Sequence, residues 1–223
     1  VTNPFETPSG PDIARLIFIG ASTTEGMGDN DRIGWPLRIA QDLPYTTGIY
    51  NLGIRGQTIF QIAKRVKSEI GDRVLSYDQS RIVLGAALNE IARYGNDTRD
   101  PRFDPDDILH SYRNVIDRLV QMAPLLVVGP PPVRAAQMPF FSQLNQCWFD
   151  YQAKDISWLD DELHKICKEK ELPYISILGP LGADQAYMSG LKQRDGLHSN
   201  AAGYVSLANI VGANKQWKQF ICP

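Results

Sequence analysis

The chain has 223 residues, of which 43% are hydrophobic and 22% charged, with a formal net charge of −2. That length suits one sizeable α/β domain and is short for two. The near-neutral charge leaves no electrostatic footprint for a nucleic-acid partner, and no apolar run approaches the ~18 residues of a membrane span.

In chain order, residues 1–14 read as an irregular lead-in to a single domain over 15–223, because Pro4, Pro8 and Pro11 oppose regular structure. The same stretch, VTNPFETPSGPD, carries neither the basic nor the apolar region of a signal peptide. The compartment is left unknown, with the cytoplasm slightly favoured and secretion open. From Arg15 onward, short apolar runs alternate with longer stretches of helical period. The run 15-RLIFIG-20 reads as a buried strand, followed by the small residues of 20-GASTTEG-26. Trp35, Pro36 and 37–43 read as structural cover for the sheet. A second strand, 48-GIYNLG-53, precedes a helix over 57–70, where Ile59, Ile62, Ala63, Val66 and Ile70 recur at spacings of three and four. A third strand, 81-RIVLGA-86, precedes a helix over 106–121 whose stripe includes Ile108, Tyr112, Val115 and Leu119. A fourth strand, 125-LLVVG-129, opens a long loop to residue 155, of a length that is uncommon unless functional. A helix over 156–170, a strand 173-PYISIL-178 and a small-residue helix over 200–212 close the chain. The alternation predicts an α/β, three-layer α/β/α architecture around a five-stranded parallel sheet. Sites in such sheets form beyond the carboxyl ends of the strands.

Few residues at those ends can do chemistry. Ser22 follows the first strand, and it either caps the next helix or presents a nucleophilic hydroxyl to the strand-end crevice. Of three histidines, His110 and His164 fall on polar helix faces, whereas His198 lies in 194-RDGLHSNAAGY-204, three residues after Asp195. A D-x-x-H spacing can orient an imidazole as a triad requires, or it can simply shape a turn ahead of a helix capped by Ser199 or Asn200. Gly56 and Asn89 follow the second and third strands; each could donate to an oxyanion, or serve a turn or a cap. Arg55 is a candidate contact for a polar or anionic substrate group, with a surface salt bridge the favoured role. The long loop holds Met138, Phe140, Phe141, Trp148, Phe149 and Tyr151, which either line a pocket or pack the loop onto the core or a second subunit. Of three cysteines, Cys167 fits a core position, and Cys147 and Cys222 could pair. No cluster has metal-ligand spacing, so no metal or cofactor is expected. Neither GxGxxG nor GxxxxGK[ST] occurs, which ranks a flavodoxin-type cofactor binder last.

Taken together, these blocks resemble the SGNH (GDSL-like) hydrolases, whose four motifs contribute Ser, Gly, Asn and His in that order. The first motif resembles 20-GASTTEG-26, the second 51-NLGIRGQT-58, the third 81-RIVLGAALNE-90 and the last 195-DGLHSNAAGY-204. The resemblance implies a flavodoxin-like fold and a serine esterase acting on a small-molecule ester. It assigns Ser22 as nucleophile, with His198 and Asp195 completing the triad. It also implies an oxyanion hole of Ser22, Gly56 and Asn89; the pocket candidates Arg55, Phe140, Phe141 and Trp148 come from their places in the chain and not from the resemblance. Two departures stand out: Ala21 replaces the usual Asp of GDS, and Ala87 and Glu90 replace the Gly and Asp of GxND. They leave room for a catalytically silent binding protein; within enzymes, a carbohydrate acetylesterase or an acyltransferase uses the same triad. A second, similar triplet lies at 95–97, but Asn89 keeps the motif's usual distance from its strand. The aromatic loop leads to the expectation of a restricted pocket for a short or aryl acyl group, and a homo-oligomer is left open.

Overall fold

The computed structural model describes residues 13–96, 100–143 and 145–222; most of the expected lead-in lies outside them. The chain runs through β1 (Arg15–Gly20), α1 (Ser22–Glu25), α2 (Gly34–Ile39), β2 (Gly48–Gly53), α3 (Ile59–Gly71) and β3 (Ser80–Gly85). It continues with β4 (Arg93–Gly95), β5 (Asp100–Pro101), α4 (Pro105–Val120), β6 (Leu125–Val128), β7 (Phe140–Ser142) and β8 (Cys147–Asp150). It ends with α5 (Ala153–Glu169), β9 (Tyr174–Ile175), α6 (Leu178–Ala183), α7 (Gln185–Lys192), α8 (Ala201–Ala213) and α9 (Lys215–Ile221).

Five strands form one parallel sheet in the order β2-β1-β3-β6-β9. Alternate side chains of each strand enter opposite layers. Ile17 and Ile19 of β1 join Ile82 and Leu84 of β3 beneath α3, α4 and α5. Leu16, Phe18 and Val83 join Trp35, Leu207 and Trp217 on the other face. Burial on both faces explains why these strands read as unbroken apolar runs. The helix α4 begins where Asp104 accepts the Asp106 N–H and Pro105 takes the first turn, a position that has no N–H to lose. From β1 the chain moves outward to β2, then returns across β1 to β3. The crevice at this reversal opens between the carboxyl ends of β1 and β3.

Several elements depart from expectation. The 129–155 segment is not an open loop: β7 and β8 form a hairpin that joins β4 and β5 in a second, antiparallel sheet of order β5-β4-β8-β7. The fifth strand is two residues long, because the chain turns away at Ser176, whose hydroxyl donates to Asp160, and enters α6. The helix over 200–212 is not the last, since α9 follows and buries Trp217 and Phe220. Cys147, Cys167 and Cys222 are all free, so the Cys147–Cys222 pair is not formed, and Cys167 is buried. His110 and His164 are exposed on their helices.

Candidate active site

The short helix α1 starts one residue after β1, with Ala21 as its cap and Ser22 as its first residue. Ser22 therefore does not cap the helix; its Oγ lies 2.9 Å from His198 Nε2. The position of α1 is set by close packing. A Cβ on Gly53 would fall 2.1 Å from the Glu25 backbone nitrogen, so a side chain there would push α1 off β2. Asn51 secures the same contact by donating to the Thr24 carbonyl at 2.8 Å.

His198 comes from the segment between α7 and α8, at the far end of the chain. Its Nδ1 lies 2.7 Å from Asp195 Oδ2. The other carboxylate oxygen accepts the backbone N–H groups of Leu197 and His198 at 2.9 and 2.8 Å. Burial alone would raise the Asp195 carboxyl. The hydrogen bond and charge of His198, with those two N–H groups, outweigh it and hold the pKa at about 2. Asn200 caps α8 by accepting the Gly203 N–H, while Ser199 donates to the Tyr187 carbonyl. Asp195, His198 and Ser22 thus form one hydrogen-bonded chain across the sheet end.

Gly56 and Asn89 border the same cavity of about 520 Å³, which also touches Ser22 and His198. Gly56 has φ +75°, a conformation that favours glycine, with open space where a Cβ would stand. Among the described residues, neither the Ser22 nor the Gly56 N–H donates to a protein acceptor. Asn89 donates one amide hydrogen to the Gln57 carbonyl at 2.8 Å and accepts from Tyr151 at 3.3 Å. These bonds aim its amide and leave the second hydrogen for the cavity. Asn96 lies exposed just after β4 and is not among the residues that line this cavity. Glu90, next to Asn89, is wholly buried and accepts the Tyr112 hydroxyl, which in turn accepts the Ala87 N–H. Burial raises Glu90 to about 7, despite that hydrogen bond, and also raises Tyr112.

The hairpin roofs the cavity. Phe140 and Phe149 pair across β7 and β8 and stack at 5.8 Å, with Tyr151 beyond Phe140 at 6.3 Å. Of the expected pocket residues, Phe140 and Arg55 line the cavity, whereas Phe141 and Trp148 do not. Alternation along the strands explains the difference: Phe141 and Trp148 pair with each other and share the opposite face. Phe149 and Tyr151 take their place. Arg55 also forms the expected salt bridge, to Glu25, with Nε to Oε1 at 2.9 Å. Sequence reasoning missed Arg65, whose guanidinium donates to the Gly20 and Leu52 carbonyls and to Gln57, tying together the ends of β1 and β2. Its place on the polar side of an amphipathic helix gave no signal of that role. Among the described residues, no group of His, Cys, Asp and Glu could hold a metal ion, and no helix is long and apolar enough to cross a membrane.

Comparison with known proteins bears on this arrangement. A model of the GDSL-like lipase/acylhydrolase family matches residues 18–205. No curated protein matches the chain significantly. Among solved structures, an aryl esterase from M. smegmatis is similar with a TM-score of 0.69 and 16% identity, over 92% of this chain and 99% of that one. A lipase/acylhydrolase from Enterococcus faecalis has a TM-score of 0.66 at 16% identity, over 89% and 93% of the two chains. An acetylxylan esterase from Geobacillus stearothermophilus has a TM-score of 0.64 at 13% identity, over 90% and 93%. At such identities the likeness is one of fold.

Proposed function

The chain belongs to the GDSL-like lipase/acylhydrolase family of ester-hydrolysing enzymes, and on that premise we propose that it cleaves carboxylic esters through Ser22, His198 and Asp195. The observation that supports this reading best is the unbroken hydrogen-bonded chain from Asp195 to His198 to Ser22. In the first step Ser22 Oγ attacks the acyl carbon while His198 Nε2 takes its proton. The carbonyl π electrons move onto oxygen, where the N–H groups of Ser22 and Gly56 and the amide of Asn89 receive the anion. Collapse expels the alcohol, to which His198 returns the proton, leaving an acyl-serine. Water then repeats the sequence, releasing the carboxylic acid and restoring Ser22. Asp195 holds the His198 tautomer and balances the imidazolium.

Ala21 and Ala87 do not argue for a silent protein. Both are buried, and neither replaces a member of the hydrogen-bonded chain. The acyl group rests against Phe140, Phe149 and Tyr151, a wall suited to a short or aryl acyl chain. The test is labelling by a fluorophosphonate probe: wild type reacts and Ser22→Ala does not. Folded wild type that stays unlabelled would overturn the proposal. A p-nitrophenyl ester series from acetate to decanoate then checks the pocket, and fastest turnover on decanoate would exclude the short-acyl reading.

A further inference from the structure

The reacting atoms stand at the border of two cavities of contrasting chemistry. The aromatic one holds Ser22, Gly56 and Asn89, with Arg55 and Arg102 at its wall and His198 and Asp195 at its edge. The second, of about 760 Å³, touches His198 and Asp195 but not Ser22 or Asn89, and its wall includes Arg32, Arg55 and Arg194. Its carboxylates are already engaged. Glu25 pairs with Arg55, and Asp195 bonds His198. Asp29 is buried, accepts the N–H groups of Asp31, Ile33 and Gly34, and pairs with Arg38. Among the described residues, neither Arg32 nor Arg194 forms an ion pair, and Arg194 donates to the neutral amide of Asn30. Both guanidinium groups therefore stand without an ion-pair partner, among the described residues, on the wall that His198 also lines. Arg32 also has φ +58°, a conformation that side-chain-bearing residues rarely adopt. Its turn is held by Asp29, whose carbonyl accepts the Arg32 N–H at 3.1 Å. Such strain is commonly kept at binding sites.

Given the proposed mechanism, on which this step rests, the geometry points to the arginine-lined cavity as the subsite for the alcohol half of the ester, and to an alcohol that carries a negative charge. With the oxyanion turned toward Gly56 and Asn89, the leaving oxygen must face His198 Nε2 to receive its proton. His198 lines both cavities, together with Met27, Arg55 and Asp195, so an alcohol on the His198 side of the acyl carbon reaches the second space. There Arg32 and Arg194 meet a carboxylate, sulfate or phosphate on the alcohol, while the acyl group stays on the aromatic side. Both cations are exposed, so they select among alcohols without contributing to the bond-breaking step.

The experiment compares two acetate esters that differ in the charge of the alcohol, 4-acetoxybenzoate and its neutral amide analogue 4-acetoxybenzamide. Wild type favours the anionic ester in kcat/KM, and the preference shrinks as salt rises from about 0.02 to about 0.5 M. Arg32→Ala and Arg194→Ala each lower the anionic-to-neutral ratio by up to roughly 5-fold, through KM, and Arg194→Lys restores much of it. A ratio that is the same in wild type and in the double variant would overturn the inference. A readout independent of turnover is the binding of 4-hydroxybenzoate and 4-hydroxybenzamide to Ser22→Ala. Equal affinity for the two would sink the inference even if esters are cleaved. Selective binding of the anion by a protein that cleaves no ester would instead sink the hydrolase reading and leave the anion subsite standing.

Discussion

Replacing Glu90 by glutamine should remove a pH-dependent weakness from the fold. The Glu90 carboxyl is wholly buried; one oxygen accepts from Tyr112 and the other, among the described residues, has no partner. Its pKa rises from 4.5 to about 7, chiefly because burial penalises the charge. The unfolded chain therefore releases this proton near pH 4.5, while the folded protein keeps it until about 7. Over that window the folded state binds more protons, so stability falls as pH rises and levels off above it. The displacement corresponds to roughly 3 kcal/mol. For a protein of this length that is about 6–12 °C in Tm. Glutamine keeps an acceptor for Tyr112 and carries no charge at any pH. Thermal unfolding of wild type and Glu90→Gln at constant ionic strength should give similar Tm values near pH 5, with the variant gaining on wild type up to about pH 8. Parallel Tm curves across that range would refute the reasoning.

Asn89→Ala should lower kcat by roughly 10²–10³-fold, and Asn96→Ala should leave it at the wild-type level; steady-state rates on p-nitrophenyl acetate check both. Asp195→Asn should cost on the order of 10⁴ in kcat through loss of the productive His198 tautomer. In wild type, the Asp195 pKa of about 2 lies below its ordinary 3.8. Its contribution to stability is thus present above that ordinary value and is lost as pH falls toward 2, so acid unfolding of Asp195→Asn should be shallower there. Phe149→Ala should broaden the range of acyl lengths accepted in the ester series, whereas Trp148→Ala, on the opposite face of the hairpin, should not alter it.

Much of this protein was legible because its signals are local. β1, β3 and β6 are short runs rich in Ile, Leu and Val that fill both layers of a parallel sheet, and α3, α4 and α5 carry stripes set by the helical period. The motif residues Ser22, Gly56, Asn89 and His198 could be placed at strand ends because each follows its strand or precedes its helix within a few positions. The helices α1, α2, α6 and α7 have eight residues or fewer, too short for a period to emerge, and they contain glycine or proline or owe their helicity to packing.

What the sequence by itself determined, then, is the order of the five parallel strands and of the long helices between them, and the identity of the residues at the strand ends, since both follow from neighbours along the chain. Only the tertiary structure decided which of those residues meet. Ser22 and His198 are 176 positions apart, and no local pattern measures the distance between them. The same is true of the roof: β4 pairs with β8 across more than fifty residues, and the parity of that pairing turns Phe149 toward the cavity and Trp148 away. A shift of one residue would exchange them, because side chains alternate along a strand. Ion pairing was settled there too: the fold, which composition does not record, sets Arg38 against Asp29 and leaves Arg32 and Arg194, among the described residues, without an ion-pair partner.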